Sequence, residues 1–184
     1  MDILIHDLSE EQFQSLFGTV DKNVRIISDT GAIRCCTGCF GCWIKTPGRC
    51  VLKDGYGDMG EVLSKSEKVT VISRCFYGSY SPFVKNVFDR SIPYLLPFFK
   101  IKNNETHHKR RYQNNINLAV HFYGENITEE EAETAGKLVK ANCTNFYVIL
   151  ILNRNQTKAA GGAFLIKEVP TQEYAHISRR ADAE

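Results

Sequence analysis

Short apolar runs alternate with stretches of helical periodicity through most of the chain. Five of the runs predict strands, because they are short and rich in branched or aromatic side chains: 1–6, 24–27, 69–72, 115–123 and 146–152. Apolar positions three or four residues apart predict helices between them, over 9–18, 59–65, 82–92 and 128–143. The hydrophobic pattern therefore predicts strands and helices in alternation.

Three of these helices begin with a recognisable capping sequence. Ser9 is followed by Gln12, and Thr128 by Glu131, which is the spacing at which two such residues cap each other's backbone amides. Ser81 precedes a proline, and proline favours the first turn of a helix. These signals fix the starts of the helices more firmly than the hydrophobic pattern alone.

Strands that alternate with helices over one domain predict an α/β fold, a doubly wound parallel sheet in a three-layer α/β/α arrangement. In such sheets the ligand binds beyond the carboxyl ends of the strands, where the strand order reverses. The loops after residue 5, over 73–81 and over 123–127 are expected at this edge, together with the segment after residue 27. The domain is predicted to span 1–153, and the weak pattern of 154–184 predicts a loosely held C-terminal tail.

Composition and charge exclude several classes of protein. Of the 184 residues, 43% are hydrophobic and 24% are charged, as in an ordinary soluble domain. A net charge of +2 is too balanced to indicate binding to nucleic acid or to a membrane surface. No apolar run is long enough to span a membrane, and the first residues lack the pattern of a signal peptide, so a cytoplasmic location is expected.

Two further segments carry predictions of their own. The basic run 107–111 lies in a polar stretch and is interpreted as a solvated loop rather than as a phosphate or nucleic-acid contact. The run 91–99 is strongly apolar and contains two prolines. A large exposed apolar patch marks a partner surface, so this segment predicts a homodimer contact.

The chemistry of the chain is concentrated in its cysteines. Five of seven lie between positions 35 and 50, and the odd total argues against a secreted disulfide framework. Two-residue gaps, followed by a gap of seven, suit a [4Fe-4S] cluster whose candidate ligands are Cys36, Cys39, Cys42 and Cys50. A zinc site and metal-free redox thiols remain as alternatives.

Two segments together resemble a known family. The first is CTGCFGCWIKTPGRC, from Cys36 to Cys50, and the second is SRCFYGSYSPFVKNVFDR, from Ser73 to Arg90. They are similar to segments of the flavodoxin-like NAD(P)H-dependent FMN reductases and, more narrowly, of the iron–sulfur flavoproteins. The resemblance implies a flavodoxin-like fold, FMN at the strand ends, NAD(P)H as co-substrate and electron transfer to an acceptor.

The resemblance also implies which residues face the flavin. Two loops would lie along the isoalloxazine ring, and their residues are Phe76, Tyr77, Gly78, Ser79, Tyr123 and Gly124. Aromatic side chains can stack on a flat ring, and glycine lets backbone amides approach it. The alternative is that the aromatic residues belong to the core at the sheet edge.

The loop after the first strand departs from the family pattern. Members of the family have a loop there that is rich in serine, glycine and asparagine and cradles the FMN phosphate. This chain has no glycine in its loop, and Glu10 and Glu11 would repel a phosphate dianion. Either the phosphate is held elsewhere, by Arg74 or across a subunit boundary, or the protein is a non-enzymatic redox carrier or sensor that has lost FMN.

Overall fold

The computed structural model describes residues 1–151 and 164–166, which form one large sheet, one hairpin and five helices. The strands are β1 (Asp2–His6), β2 (Val24–Ser28), β3 (Lys68–Arg74), β4 (Leu95–Lys102), β5 (Glu105–Arg110), β6 (Asn117–Tyr123), β7 (Ile149–Leu150) and β8 (Phe164–Ile166). The helices are α1 (Glu10–Phe17), α2 (Gly41–Ile44), α3 (Met59–Ser64), α4 (Pro82–Arg90) and α5 (Glu129–Phe146). A single 3₁₀ turn, Ile92–Tyr94, follows α4.

The large sheet is parallel throughout, and its strand order confirms the predicted fold. The order is β2-β1-β3-β6-β7, and β8 also pairs with β6. Counting only the strands of this sheet, that order is 2-1-3-4-5, the order of flavodoxin-like folds. The strand order reverses between β1 and β3. The binding edge predicted from the sequence therefore lies beyond the carboxyl ends of these two strands, at His6 and Arg74.

Helices cover both faces of the sheet. Side chains of successive strand residues point to opposite faces, so Leu4 belongs to one apolar cluster and Ile3 and Ile5 to the other. The cluster around Leu4 contains the buried residues of α1, whereas the larger cluster contains most of the buried apolar side chains of α3, α4 and α5. The result is the predicted three-layer α/β/α arrangement.

The hairpin of β4 and β5 corrects the prediction for residues 107–111. These residues are not a solvated loop, because most of them lie in β5, which pairs antiparallel with β4. Asn103 and Asn104 connect the two strands with φ values of 53° and 62°, the left-handed conformation that tight hairpin turns require. Asparagine adopts this conformation more readily than most residues, so the Asn-Asn pair is the feature of the sequence that indicates a hairpin turn.

The C-terminal part of the sheet also differs from the prediction. The strand predicted over 146–152 is reduced to Ile149–Leu150, because α5 continues to Phe146 and Tyr147 ends it with a φ of 58°. Phe164–Ile166 pairs with the end of β6, so the sheet continues past the predicted domain end at residue 153. The rest of the predicted tail lies outside the described residues. Within the described part of the chain, no helix is long and apolar enough to cross a membrane.

Candidate functional site

Asp7 ties together three strand ends at the binding edge. Its carboxylate accepts the backbone N–H of Arg74 at 2.9 and 3.1 Å, and its own N–H donates to the carbonyl of Ile72 at 3.3 Å. The hydroxyl of Tyr123 donates to the Asp7 carbonyl at 3.5 Å. A carboxylate therefore stands at the β1/β3 switch point, where flavodoxin-like folds bind FMN.

The N-terminus of α1 is complete without an anion. The Ser9 hydroxyl accepts the N–H of Gln12 at 3.2 Å, and the Gln12 side chain accepts the N–H of Ser9 at 2.9 Å. Glu10 and Glu11 fill the first turn with negative charge. The predicted capping box is confirmed, and this end of the helix does not fit the phosphate of a flavin nucleotide.

Residues 76–79 form a tight turn just beyond β3. Phe76 and Ser79 exchange two backbone hydrogen bonds, at 2.9 and 3.0 Å, around Tyr77 and Gly78. Tyr77 has a φ of 52° and Gly78 a φ of 74°. For a tyrosine this left-handed conformation is strained, and strain of this kind persists where surrounding structure imposes it.

The turn presents two aromatic rings to solvent. Tyr77 is 83% exposed and Phe76 is 48% exposed, and their rings meet edge to face with centroids 5.1 Å apart. The alternative interpretation, that the aromatic residues belong to the core at the sheet edge, is therefore excluded for Phe76 and Tyr77. Tyr80 is the aromatic residue of this segment that belongs to the core, where it stacks on Phe122.

Helix α5 fixes the position of this turn. A Cβ atom at Gly78 would lie 2.8 Å from Cβ of Thr134 and 2.9 Å from the carbonyl oxygen of Glu131. Glycine is therefore required both by its φ and by the closeness of α5. Cys75, just before the turn, donates its N–H to the carbonyl of Tyr123 at 2.8 Å, which joins the turn to the end of β6.

Tyr123 and Gly124 lie on the adjacent loop of the same edge. Burial raises the pKa of the Tyr123 hydroxyl well above its usual range, and the Asp7 carboxylate acts in the same direction, whereas Arg74 opposes it. The hydroxyl therefore stays protonated and acts as a donor. The exposed Arg74 side chain lies close enough to influence that hydroxyl.

A cavity of about 350 Å³ lies at the cysteine loop. Its lining includes all four of the predicted cluster ligands, Cys36, Cys39, Cys42 and Cys50. Yet among residues 1–151 no three cysteine, histidine, aspartate or glutamate side chains converge closely enough to hold a metal ion. The [4Fe-4S] cluster predicted at these four cysteines therefore has no support from the side-chain arrangement in the described part of the chain, and it stays a prediction.

The thiols of this cavity differ in their surroundings. Cys39 is exposed, and hydrogen bonds from the Gly41 backbone and the Thr37 side chain lower the pKa of its thiol. Cys42 is buried on α2, and burial raises the pKa of its thiol to about 11, with the neighbouring Cys50 adding to the effect. An accessible thiol and a buried one thus lie three positions apart in the sequence.

A buried ion pair lies behind this cavity, and the sequence did not reveal it. Two nitrogens of Arg90 donate to the two carboxylate oxygens of Asp54 at 2.6 and 2.9 Å, and the side chains are 0% and 3% exposed. The Arg90 guanidinium holds the pKa of the Asp54 carboxyl well below its usual range. Arg90 also donates to the carbonyl of Arg34 at 2.7 Å, so α4 anchors both ends of the cysteine loop.

Aromatic contacts join the cysteine loop to the hairpin. Trp43 stacks on Phe40, with ring centroids 5.6 Å apart, and meets the tilted ring of His108 at 4.8 Å. His108 in turn contacts Phe99, with centroids 4.6 Å apart. The indole N–H of Trp43 donates to the carbonyl of Leu95 at 3.0 Å. Trp43 therefore fixes α2 against β4 and β5.

In comparisons with known proteins, this chain is similar to several solved structures, but at low sequence identity. No protein-family model matches the chain, and no curated protein matches it in sequence. Among solved structures it is similar to an NADPH-quinone reductase from P. pentosaceus, with 10% identity over 89% of this chain and 83% of that chain and a TM-score of 0.45.

Two azoreductases are similar to a comparable degree. Azoreductase AzrA has 11% identity over 82% of this chain and 86% of that chain, with a TM-score of 0.47. An FMN-dependent NADH-azoreductase from Bacillus anthracis, solved in complex with FMN, has 10% identity over 82% of this chain and 85% of that chain, with a TM-score of 0.42. The flavodoxin-like fold of this chain is established by its own strand order.

Proposed function

We propose that this protein is a flavin-dependent NAD(P)H oxidoreductase that holds the isoalloxazine ring of FMN against Phe76–Ser79 and Tyr123–Gly124. The observation that carries the proposal is the turn at Tyr77. A strained backbone keeps this side chain and that of Phe76 exposed at the binding edge of the sheet. Strain of about 1–3 kcal/mol is characteristic of ligand-binding sites.

The chain's own residues supply binding and orientation. When bound, the flavin supplies the hydride acceptor and passes electrons on to an acceptor molecule. The rings of Phe76 and Tyr77 offer aromatic faces and edges for contact with the flavin, and Gly78 lets the turn that carries them pack closely against α5. The protonated hydroxyl of Tyr123 keeps the second loop tied to Asp7.

The phosphate of FMN requires a different partner from α1. Arg74 lies at the end of β3, is exposed, and is close enough to act on the pKa of the Tyr123 hydroxyl at the same edge of the sheet. Its guanidinium can bind a phosphate with two hydrogen bonds. We therefore assign the phosphate to Arg74 rather than to the capped helix.

A homodimer completes the proposal, since part of the hairpin exposes apolar side chains. Within 91–99 the 3₁₀ turn is mostly buried, whereas Phe98 and Phe99 are exposed, as is Ile101 beyond them. These side chains favour contact with a second copy of the chain. A Phe98→Asp, Phe99→Asp double variant should sediment as a monomer where the unmodified protein sediments as a dimer.

Flavin binding by variants of the turn tests the proposal. FMN added to the purified protein should lose fluorescence on binding, and NAD(P)H should then reduce the bound flavin. Phe76→Ala should weaken FMN binding about tenfold, because an aromatic contact worth about 1 kcal/mol or more is lost. Phe98→Ala, which removes an exposed phenylalanine from the hairpin, should leave the affinity unchanged. A folded protein that takes up no FMN would contradict the proposal.

A second candidate function is a redox carrier or sensor that works without flavin. Two observations favour it: carboxylates occupy the phosphate end of the site, and four thiols share one cavity. Anaerobic purification followed by flavin, iron and zinc assays separates the candidates. Flavin near stoichiometry supports the enzyme, whereas iron with a broad brown absorbance and no flavin supports the carrier and the iron–sulfur cluster.

A further inference from the structure

Tyr147 lies at the edge of the sheet opposite the proposed flavin site. Helix α5 begins after the carboxyl end of β6 and runs back along the sheet, and Ile149, just beyond it, pairs with Asn117 at the amino end of β6. The hydroxyl of Tyr147 donates to the carbonyl of His108 at 2.7 Å, which fixes its ring against the hairpin. A site at this ring is therefore separate from the flavin loops.

The hairpin brings two separate groups of basic residues together. In the sequence, several positions separate the run 107–111 from Lys100 and Lys102. Antiparallel pairing places Lys100 directly opposite His107, the first residue of that run. Residues 95–111 contain five lysines and arginines and one acidic residue, whereas the whole chain contains 23 basic and 21 acidic residues. The nearly balanced charge of the chain therefore conceals a basic hairpin.

Three cationic side chains of the hairpin converge on the Tyr147 ring. The ammonium nitrogens of Lys100 and Lys102 lie 4.5 and 5.5 Å from the ring centroid, and the guanidinium carbon of Arg110 lies 5.4 Å from it. Attraction to the ring and to the carbonyl end of α5, which Tyr147 terminates, offsets part of the repulsion between the three like charges. All three side chains are half-buried, so packing restricts their positions.

The positive charge of this cluster is not balanced by an acidic partner. Among the residues that the structure describes, none of Lys100, Lys102 and Arg110 forms an ion pair. Glu105 stands opposite Lys102 across the hairpin, but its carboxylate lies 2.9 Å from Nε2 of His107 instead. Three cations around one ring therefore leave a place for an anion.

The hairpin spaces the two lysines for a ligand with more than one anionic group. Lys100 and Lys102 are two positions apart on β4, so they point to the same side of the strand and stand about 7 Å apart along it. Glu105 lies beside Lys102 near the hairpin turn, and its negative charge would repel a polyanion that continued past the cluster. A short multivalent anion therefore fits better than a nucleic-acid strand.

We propose that this cluster binds a small oligophosphate, a ligand with two or three linked phosphate groups. Lys100 and Lys102 bind the oxygens of neighbouring phosphates through charged hydrogen bonds. Arg110 donates through one Nη atom to the carbonyl of Asn114, which fixes its guanidinium, and it adds a third positive charge to the site. Tyr147 is a positioning residue, because it holds the cations together and does not itself bind the ligand.

Calorimetric titration of the flavin-free protein with sodium tripolyphosphate tests the proposal. One equivalent should bind, and the affinity should weaken as salt is added, because salt screens exposed charges. A Lys100→Gln, Lys102→Gln double variant should bind about tenfold more weakly or worse, because two charged hydrogen bonds are lost. The matched control is Lys137→Gln, Lys140→Gln, which removes the same charge from exposed positions on α5 and should keep the affinity.

Glu105→Gln should change the affinity in the opposite direction. It leaves all three cations in place and removes the negative charge beside Lys102, so tripolyphosphate should bind about threefold more tightly. This variant tests the site even where the double lysine variant does not fold, which thermal unfolding without ligand establishes.

Three outcomes would overturn the proposal. They are no binding of tripolyphosphate by the unmodified protein, equal affinities in the two double variants, and tighter binding of a single-stranded oligonucleotide than of tripolyphosphate. Added FMN should not compete with tripolyphosphate, because the two sites lie at opposite edges of the sheet. The titration without flavin is therefore independent of the outcome of the flavin proposal.

Discussion

At the scale of single residues, the ion pair between Asp54 and Arg90 is buried and joins two segments that are far apart in the sequence. A fully buried guanidinium needs its carboxylate, because an unpaired charge in the interior is unfavourable by several kcal/mol. The pair connects the end of the cysteine loop to α4, and Arg90 also holds the backbone of Arg34. The shape of the cysteine cavity therefore depends on two side chains that are far apart in the sequence.

Asp54→Asn should destabilise the protein by about 3–5 kcal/mol, because it leaves Arg90 buried without its counter-charge. Urea unfolding at neutral pH measures the loss. Asp89→Asn is the control, since Asp89 pairs with Lys85 on the surface of α4 and such pairs contribute less than about 1 kcal/mol. Equal losses of unfolding free energy in the two variants would show that the buried pair contributes no more to stability than the surface pair.

The pH dependence of the same pair has a definite sign. Because the pKa of Asp54 is lowered in the folded state, the pair's contribution is present above the pKa of the unfolded carboxyl and is lost as pH falls through the folded value. Unmodified protein should therefore lose stability below about pH 4, where the unfolded carboxyl begins to bind protons. In the Asp54→Asn variant, this part of the loss of stability at acidic pH should be absent.

His6 should make stability sensitive to mildly acidic pH. Burial lowers the pKa of its imidazole from 6.5 to about 4, and the ring stacks on Phe13 with centroids 4.7 Å apart. The unfolded state binds a proton near pH 6.5 and the folded state only near pH 4, so stability falls as pH falls across this window, by on the order of 3 kcal/mol. His6→Phe keeps the stacking and should flatten urea-derived stability between these pH values; an unchanged slope would contradict this.

At the scale of elements, capping residues explain why the starts of the helices could be predicted. The turn between β4 and β5 helps to explain why the hairpin was not. The capping boxes at Ser9 and Thr128 are both present in the structure, because each depends only on residues three positions apart. The hairpin escaped prediction because β5 is polar, because Pro97 interrupts the apolar run that forms β4, and because Asn103-Asn104 is less distinctive than a turn that contains glycine. The pattern of the hydrophobic residues alone did not indicate it.

Ser9→Ala should destabilise the protein by about 1 kcal/mol, because the N–H of Gln12 loses its acceptor. Thermal or urea unfolding measures the change. Ser15→Ala, an exposed serine within the same helix, is the matched control and should change stability by less than about 0.5 kcal/mol. Equal effects at the two serines would show that the cap is not important for α1.

At the scale of the whole molecule, Gly60 is a point where three distant segments meet. A Cβ atom there would lie 2.7 Å from the carbonyl oxygen of Gly48 and 3.0 Å from backbone atoms of Pro93 and Tyr94. Helix α3, the cysteine loop and the 3₁₀ turn thus pack backbone to backbone. The close packing of Gly60 against the backbone of Gly48 holds the second half of the cysteine loop in place.

Gly60→Ala should cost about 1–3 kcal/mol in urea unfolding, because the neighbours are backbone atoms that cannot rotate away. Glu61→Ala changes the next residue of α3, which forms only a surface pair with Lys65, and should cost less than about 0.5 kcal/mol. A Gly60→Ala variant as stable as the unmodified protein would contradict the close packing.

The sequence by itself determined four of the parallel strands and the four longer helices, together with the helix caps, the parallel α/β fold and the edge at which the loops gather. These depend on spacings of two to four residues and on the general behaviour of parallel sheets, so they can be read along the chain. The capped helix at Ser9 and the acidic first turn were visible for the same reason. So was the surface pair of Lys85 and Asp89, four residues apart.

Only the tertiary structure decided what the chemical groups face. Asp54 and Arg90 are separated by 36 positions, and no local pattern pairs them. The spacing of the four cysteines predicts a cluster, and the structure adds that all four line one cavity, with Cys39 exposed and Cys42 buried. Tyr77 is exposed because a tight turn and α5 together impose its backbone conformation. Side-chain direction and long-range contact follow from how the elements pack, and the linear order of residues does not contain them.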